Sequence, residues 1–134
     1  MTLKEQVCDR EIANQLRGLN VKQDGEFHWV ESDFDGDGYA VVPKEHLKIY
    51  DNPSVASAFT VAELLELIPK IIPNPDDEVD SSYLHIFTDH CISWCVAHRG
   101  IGYENYSENS DDPNLANVLA RMLVHLIEKG IVKL

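Results

Sequence analysis

Residues 26–42, EFHWVESDFDGDGYAVV, decide the fold class of this chain. Residues 26–30 alternate as a strand does, which places Phe27 on one face and His28 with Val30 on the other. Residues 39–42 form a return strand, and the glycine-rich segment between the two runs predicts a tight turn. The segment is therefore predicted to be an antiparallel β-hairpin.

A second hairpin is predicted further along the chain. The runs 83–87 and 91–98 have the composition of strands, and residues 88–90 form a short polar turn between them. The proline-rich and acidic stretch 73–82 before this hairpin is predicted to be an exposed loop.

Three helices are predicted around the hairpins. The first begins at Asp9-Arg10-Glu11 and ends near Gly18 and Asn20. The second begins at a capping box, in which Thr60 and Glu63 satisfy each other's backbone amides, and it ends at Pro69. The last helix carries apolar residues around most of its circumference, which predicts a buried helix.

The ends of that last helix also carry signals. Asp111 or Asp112 is predicted as its N-cap with Pro113 at the first helical position, and Lys129-Gly130 is predicted to end it. Strands that are grouped in hairpins favour an α+β fold rather than an alternating α/β fold. We expect residues 1–134 to form a single α+β domain, with antiparallel β-hairpins, about three helices and the C-terminal helix packed across the sheet.

Composition narrows the functional classes. The chain has 134 residues, is 44% hydrophobic and carries a net charge of -12. Its acidic residues are concentrated in segments 24–37, 76–80 and 104–112, where no Lys or Arg occurs. Direct nucleic-acid binding is not expected of such a chain, and the acidic segments favour a cation site, a basic partner or solubility.

The lengths of the apolar runs and the spacing of the cysteines predict the cellular location and the redox state of the thiols. No stretch reaches the roughly 18 to 20 apolar residues of a membrane span, and the N-terminus is polar, so we expect a cytoplasmic protein without membrane contact. Cys8, Cys91 and Cys95 have no disulfide spacing, which favours reduced thiols.

Three segments carry a resemblance to a family of small proteins. They read LRGLNVKQDGEFHW (16–29), AFTVAELLELIP (58–69) and ANVLARMLVHLIEKGI (116–131). Together they resemble small, mostly uncharacterised proteins of bacteriophages and mobile elements, notably from gut bacteria. The resemblance implies a phage or mobile-element origin, a host-directed auxiliary role and, for a phage protein, residence in the host cytoplasm. It transfers no catalytic residue.

A weak calcium motif lies within the first hairpin. Asp33, Asp35 and Asp37 occupy positions 1, 3 and 5 of a calcium loop, and a glycine follows at position 6. Position 12 is Lys44 instead of a carboxylate. A hairpin turn built from aspartate and glycine is therefore favoured over a metal site.

Zinc binding and thiol chemistry are also considered. His90, Cys91, Cys95 and His98 lie within nine residues, but strand alternation places the histidines and the cysteines on opposite faces. We therefore expect two surface histidines and two buried or half-buried cysteines. Motifs for nucleophilic or nucleotide-dependent catalysis are absent from the sequence, so we expect no enzyme activity and no cofactor.

Residues 98–106 are predicted to be a loop that binds a ligand. His98, Arg99, Tyr103 and Tyr106 combine a cation and aromatic rings with two flexible glycines, and these residue types are favoured at binding surfaces. The alternative is an ordinary connection between a strand and the last helix.

The sequence therefore suggests a non-enzymatic binding protein that counteracts host defence by sequestering a host component. That component is a basic protein, or a small nucleotide signal held at a subunit interface, which would require a homo-oligomer. The alternative is a small calcium-binding protein or a small enzyme.

Overall fold

In the part of the chain that the structure describes, three α-helices and two antiparallel sheets form the fold. The computed structural model describes residues 2–33, 36–49, 54–73, 81–88, 93–100, 103–109 and 112–134. The helices are α1 (Arg10–Gly18), α2 (Val61–Leu67) and α3 (Leu115–Glu128), and short 3-10 turns span Leu3–Glu5 and Lys44–Ile49. The strands are β1 (Phe27–Glu31), β2 (Tyr39–Pro43), β3 (Ala56–Ser57), β4 (Ile71–Ile72), β5 (Ser82–Thr88), β6 (Trp94–Gly100) and β7 (Tyr103–Asn109).

The two predicted hairpins belong to different sheets. The first sheet has the order β2-β1-β3, and Trp29 on its central strand pairs with Val41 and Ala56. The second has the order β4-β5-β6-β7 and is antiparallel throughout. Both hairpins are confirmed, whereas β3, β4 and β7 were not predicted. Most of the predicted loop 73–82 (residues 74–80) and the end of the predicted turn (Asp89 and His90) lie outside the described residues.

Helix α3 lies at the centre of the molecule. It contacts α1, α2, β6 and β7, and Leu119, Met122, Leu123 and Leu126 are fully buried. One apolar cluster joins these side chains to both sheets and to the N-terminal segment. The α+β prediction with the C-terminal helix across a sheet is therefore confirmed. At 14 residues α3 cannot cross a membrane, and neither can any other helix of the described chain.

Two helices end as the sequence predicts. Asn20 after α1 and Gly130 after α3 adopt positive φ angles of 67° and 75°. In this conformation the amide of Val21 donates to the Leu16 carbonyl at 3.0 Å, and the amide of Ile131 donates to the Leu126 carbonyl at 2.9 Å. These bonds satisfy carbonyls at the helix ends that have no partner within the helix.

The predicted start of α3 is wrong by two residues. Asn114 is the N-cap, since its Oδ1 accepts the amide of Ala116 at 2.9 Å, and the helix begins at Leu115. Asp112 instead accepts the amide of Asn114 at 2.8 Å with Oδ1, while its Oδ2 accepts from the side chains of Asn117 and Arg121. Tertiary hydrogen bonds therefore occupy the carboxylate that the sequence assigned to capping.

Replacement of Thr60 by alanine should destabilise the protein by about 1 kcal/mol, because a helix amide would lose its acceptor. The Thr60 hydroxyl accepts the amide of Glu63 at 3.3 Å, and the Glu63 carboxylate accepts the amide of Thr60 at 3.0 Å. Urea unfolding of Thr60→Ala measures the loss, with Thr60→Ser as the control that retains the hydroxyl. Equal stability of the alanine and serine variants would contradict this account.

Candidate functional site

The N-terminal segment is anchored against the start of α3. Val7 and Cys8 are buried, and their carbonyls accept the side-chain amide of Asn114 at 2.9 Å and the indole N–H of Trp29 at 3.0 Å. The amide of Asp9 donates to Oδ1 of Asn117 at 2.6 Å. These bonds hold residues 7–9 beside the first turn of α3.

A cleft of about 620 Å³ opens beside this junction, and we call it the acidic cleft. Among the described residues, its lining includes the carboxylates of Glu5, Asp9, Asp37 and Asp112 and the ammonium group of Lys4. Trp29 also contributes to the wall. Glu5, Asp9 and Asp37 are exposed to solvent, while Asp112 is partly buried.

Each carboxylate reaches the cleft from a different element. Glu5 ends the first 3-10 turn, Asp9 precedes α1, Asp37 lies in the β1–β2 turn and Asp112 precedes the cap of α3. Asp9 makes no capping hydrogen bond with its side chain, although it occupies the N-cap position of α1. The tertiary structure thus gathers charges that are far apart in the sequence.

Hydrogen bonds keep this cleft negatively charged. Burial would raise the pKa of Asp112, but the hydrogen bonds from Asn114, Asn117 and Arg121 outweigh it and lower that pKa. The amide of Thr2 lowers the pKa of Glu5, and the side chain of Lys4 lowers the pKa of Asp37. These three carboxylates therefore remain ionised at pH values below the range in which Asp and Glu side chains ordinarily titrate.

Two ion pairs neutralise part of the charge. Lys4 Nζ lies 3.2 Å from Asp37 Oδ1, and Arg121 Nη2 lies 3.1 Å from Asp112 Oδ2. The ion pair of Lys4 and Asp37 is exposed, so a competing cation can displace Lys4 from Asp37 at little cost in free energy. The acidic cleft is chemically suited to lysine or arginine side chains of a ligand.

The predicted ligand-binding residues do not form one loop. His98 and Arg99 lie within β6, and Tyr103 and Tyr106 lie within β7. The prediction that residues 98–106 form a loop is therefore wrong, because the chain reverses between residues 100 and 103 and the returning segment pairs with β6. Tyr106 is paired with His98 and Tyr103 with Gly100.

His98 and Arg99 lie on opposite faces of the sheet. His98 is fully buried and its Nε2–H donates to the Pro69 carbonyl at 2.7 Å, so the expectation of a surface histidine is wrong. Arg99 is partly exposed on the other face, where its guanidinium stacks 4.4 Å from the ring centroid of Phe87. Adjacent strand residues point in opposite directions, so these two side chains cannot line one pocket.

Tyr83 and Ile71, which the sequence analysis did not select, lie beside Arg99 in the register of this sheet. Tyr83 is the register partner of Arg99 in β5, and Ile71 pairs with Tyr83 from β4. Tyr83 is 53% exposed and Ile71 is 52% exposed. The alternation of Tyr83, His85 and Phe87 in the sequence could have identified this face.

The calcium motif is part of a hairpin turn in the structure. Asp37 Oδ1 accepts the amide of Tyr39 at 3.2 Å and the ammonium of Lys4, and Gly38 has a φ angle of 81°. Asp33 is exposed at the turn, and Asp35 lies outside the described residues. Among the residues that the structure describes, no group of three or more His, Cys, Asp or Glu side chains could hold a metal ion.

The described thiols are buried. Burial raises the pKa of Cys8 to about 12, so this side chain is a neutral thiol at physiological pH. Cys95 is also buried, on the face of β6 opposite to His98. His90 and Cys91 of the zinc prediction lie outside the described residues.

No family model, curated protein or solved structure matches this chain. The function is therefore argued from the geometry and charge described above.

Acidification below about pH 6.5 should destabilise the protein through His28 and His98. Burial is the main cause that lowers the pKa of each below the ordinary value of 6.5. Lys44 lowers the pKa of His28 further, while Gly25 and Glu63 oppose it; His85 adds to the lowering at His98, and the Pro69 carbonyl opposes it. Below this pH the unfolded chain binds protons that the folded chain does not. The free energy of unfolding therefore decreases as the pH is lowered.

Urea unfolding between pH 7.5 and pH 5 tests this expectation. His28→Gln and His98→Gln should each reduce the slope of stability against pH relative to the wild-type protein. A slope in both variants identical to that of the wild type would contradict a role for the buried imidazoles.

Proposed function

We propose that this chain is a non-enzymatic binding protein that captures a basic segment of another protein. The acidic cleft carries the proposal, because four carboxylates from separate elements converge on one concave surface. A net charge of -12 adds long-range attraction, which accelerates association with a positively charged partner.

The pKa shifts support binding rather than catalysis. A carboxyl group that acts as a general acid near neutral pH needs a raised pKa. The pKa values of Glu5, Asp37 and Asp112 are lowered instead, so these groups are suited to a permanent negative charge.

A small nucleotide is the less favoured ligand. The predicted nucleotide site combined Arg99 with the tyrosines of a flexible loop, whereas residues 98–100 and 103–106 lie in the paired strands β6 and β7. A nucleotide is also an anion, which a chain of net charge -12 repels at long range. The resemblance to phage and mobile-element proteins supports a host protein as the partner and sequestration as the role.

Titration with a labelled ten-residue peptide of alternating lysine and threonine tests the proposal. We expect saturable binding that weakens as salt shortens the Debye length from about 10 Å to about 3 Å. The double variant Asp9→Asn/Asp37→Asn should bind about tenfold more weakly, since two exposed charge pairs are lost. Asp112 is retained because it supports the fold.

Glu66→Gln/Glu128→Gln is the matched control. It removes the same charge from exposed positions of α2 and α3 outside the acidic cleft. An equal loss in both double variants would show that the charge acts diffusely and that the cleft is not the site. Absence of binding to the wild-type protein would overturn the proposed function.

A further inference from the structure

Another cavity, of about 380 Å³, adjoins the acidic cleft, and we call it the apolar pocket. Pockets that hold small ligands usually measure about 300–1,000 Å³, so this one is large enough for a single side chain. Glu5, Pro113 and Asn114 line both cavities. The acidic cleft and the apolar pocket are therefore neighbouring parts of one surface.

The N-terminal turn, both sheets and the starts of α2 and α3 contribute apolar side chains to this pocket. The side chains are those of Leu3, Phe27, Val61, Trp94, Pro113 and Leu115. Four of these, all but Leu3 and Pro113, are partly buried and pack against the apolar core. The pocket is thus an extension of the core to the surface, and covering it removes apolar area from water.

Polar side chains in the same lining are already engaged in the fold. The Thr60 hydroxyl accepts the amide of Glu63 at 3.3 Å and donates to Oε1 of Glu63 at 3.0 Å. The Asn114 side chain donates to the Val7 carbonyl and accepts the amide of Ala116, both at 2.9 Å. A polar ligand group would lose water here and gain little from these side chains, so an apolar group is better suited to the pocket.

The N-terminal turn shows how close the two cavities are. Leu3 lines the apolar pocket, and the next residue, Lys4, lines the acidic cleft, where its Nζ lies 3.2 Å from Oδ1 of Asp37. Consecutive Cα atoms are about 3.8 Å apart. A ligand that carries an apolar residue next to a basic residue can therefore reach both cavities at once.

We propose that the apolar pocket receives a large apolar side chain, the size of phenylalanine, from the basic segment that binds the acidic cleft. The inference rests on the proposed function and specifies the partner sequence as a large apolar residue beside lysine or arginine. An aromatic side chain held in a preformed pocket is a common source of binding energy at protein interfaces. A second copy of this chain is a poor occupant, because both copies carry a net charge of -12.

The test compares the lysine–threonine peptide with a copy in which phenylalanine replaces one central threonine. Both peptides carry the same charge, so the comparison isolates the apolar contact. We expect the phenylalanine copy to bind the wild-type protein about tenfold more tightly, because its ring leaves water on binding. Asp9→Asn/Asp37→Asn should weaken binding of both peptides by the same factor, since it changes only the acidic cleft.

Leu3→Gln should remove most of the advantage of the phenylalanine copy and leave the affinity for the lysine–threonine peptide unchanged. Leu67→Gln is the matched control, because it makes the same replacement at a partly exposed leucine outside the pocket. Ala62→Gln alters the opposite side of the pocket at an exposed position of α2 and should act like Leu3→Gln. Urea unfolding verifies that each variant is folded.

Equal binding of the two peptides to the wild-type protein would overturn the inference and leave capture by the acidic cleft intact. The same conclusion would follow if Leu3→Gln and Ala62→Gln retained the full advantage of the phenylalanine copy, because the apolar contact would then lie elsewhere. If neither peptide binds, the proposed function fails, and the inference fails with it.

Discussion

Leu126→Ala should lower the free energy of unfolding by about 2–5 kcal/mol. Leu126 is fully buried in α3, within the apolar cluster that joins the helices to both sheets. Truncation removes buried methyl groups and leaves a cavity that the neighbouring side chains fill only in part. Its carbonyl also accepts the amide of Ile131 at the helix end, which restricts relaxation of the backbone.

Denaturant unfolding measures this loss, and Leu67→Ala is the control. Leu67 is also a leucine of a helix, but it is 37% exposed, so its truncation should cost much less. If Leu126→Ala had the stability of the wild type, α3 would not be the centre of the core.

Asn117→Ala should destabilise the protein by about 1–3 kcal/mol, although the residue is polar and lies on a helix. Its side chain is buried, accepts the amide of Asp9 at 2.6 Å and donates to Asp112 at 2.9 Å. Alanine provides neither group, so the amide of Asp9 and the carboxylate of Asp112 each lose a hydrogen-bond partner at a partly buried position. The N-terminal segment should loosen as a consequence.

Asn14→Ala is the matched control for this prediction. Asn14 is exposed on α1, so its replacement should leave stability nearly unchanged. Hydrogen exchange should also show faster exchange at residues 7–9 in Asn117→Ala than in Asn14→Ala. Unaltered exchange there would mean that Asn117 does not anchor the segment.

Local chemistry determined the parts of the fold that were predicted correctly. The capping box of Thr60 and Glu63, the glycine after α3 and the alternation in β1 act between residues close in sequence. Short-range hydrogen bonds and side-chain periodicity govern such features, so a single sequence contains the necessary information.

The sequence-based predictions failed where interactions with other elements outweigh the local preference of a residue or segment. Asp112 has the position and chemistry of an N-cap, but Asn117 and Arg121 occupy its carboxylate, and Asn114 caps the helix instead. The composition of β7 predicts a loop, because glutamate and asparagine are poor strand formers. Pairing with β6 outweighs that local preference.

The candidate site illustrates the same division. The sequence by itself determined the negative charge, the two hairpins and the buried last helix, because these depend on composition and on periodicity within one segment. It could not assemble Glu5, Asp9, Asp37 and Asp112 into one cleft, since they lie in four segments that meet only after folding. Only the tertiary structure decided which carboxylates converge, because long-range contacts determine which segments become neighbours in the folded protein.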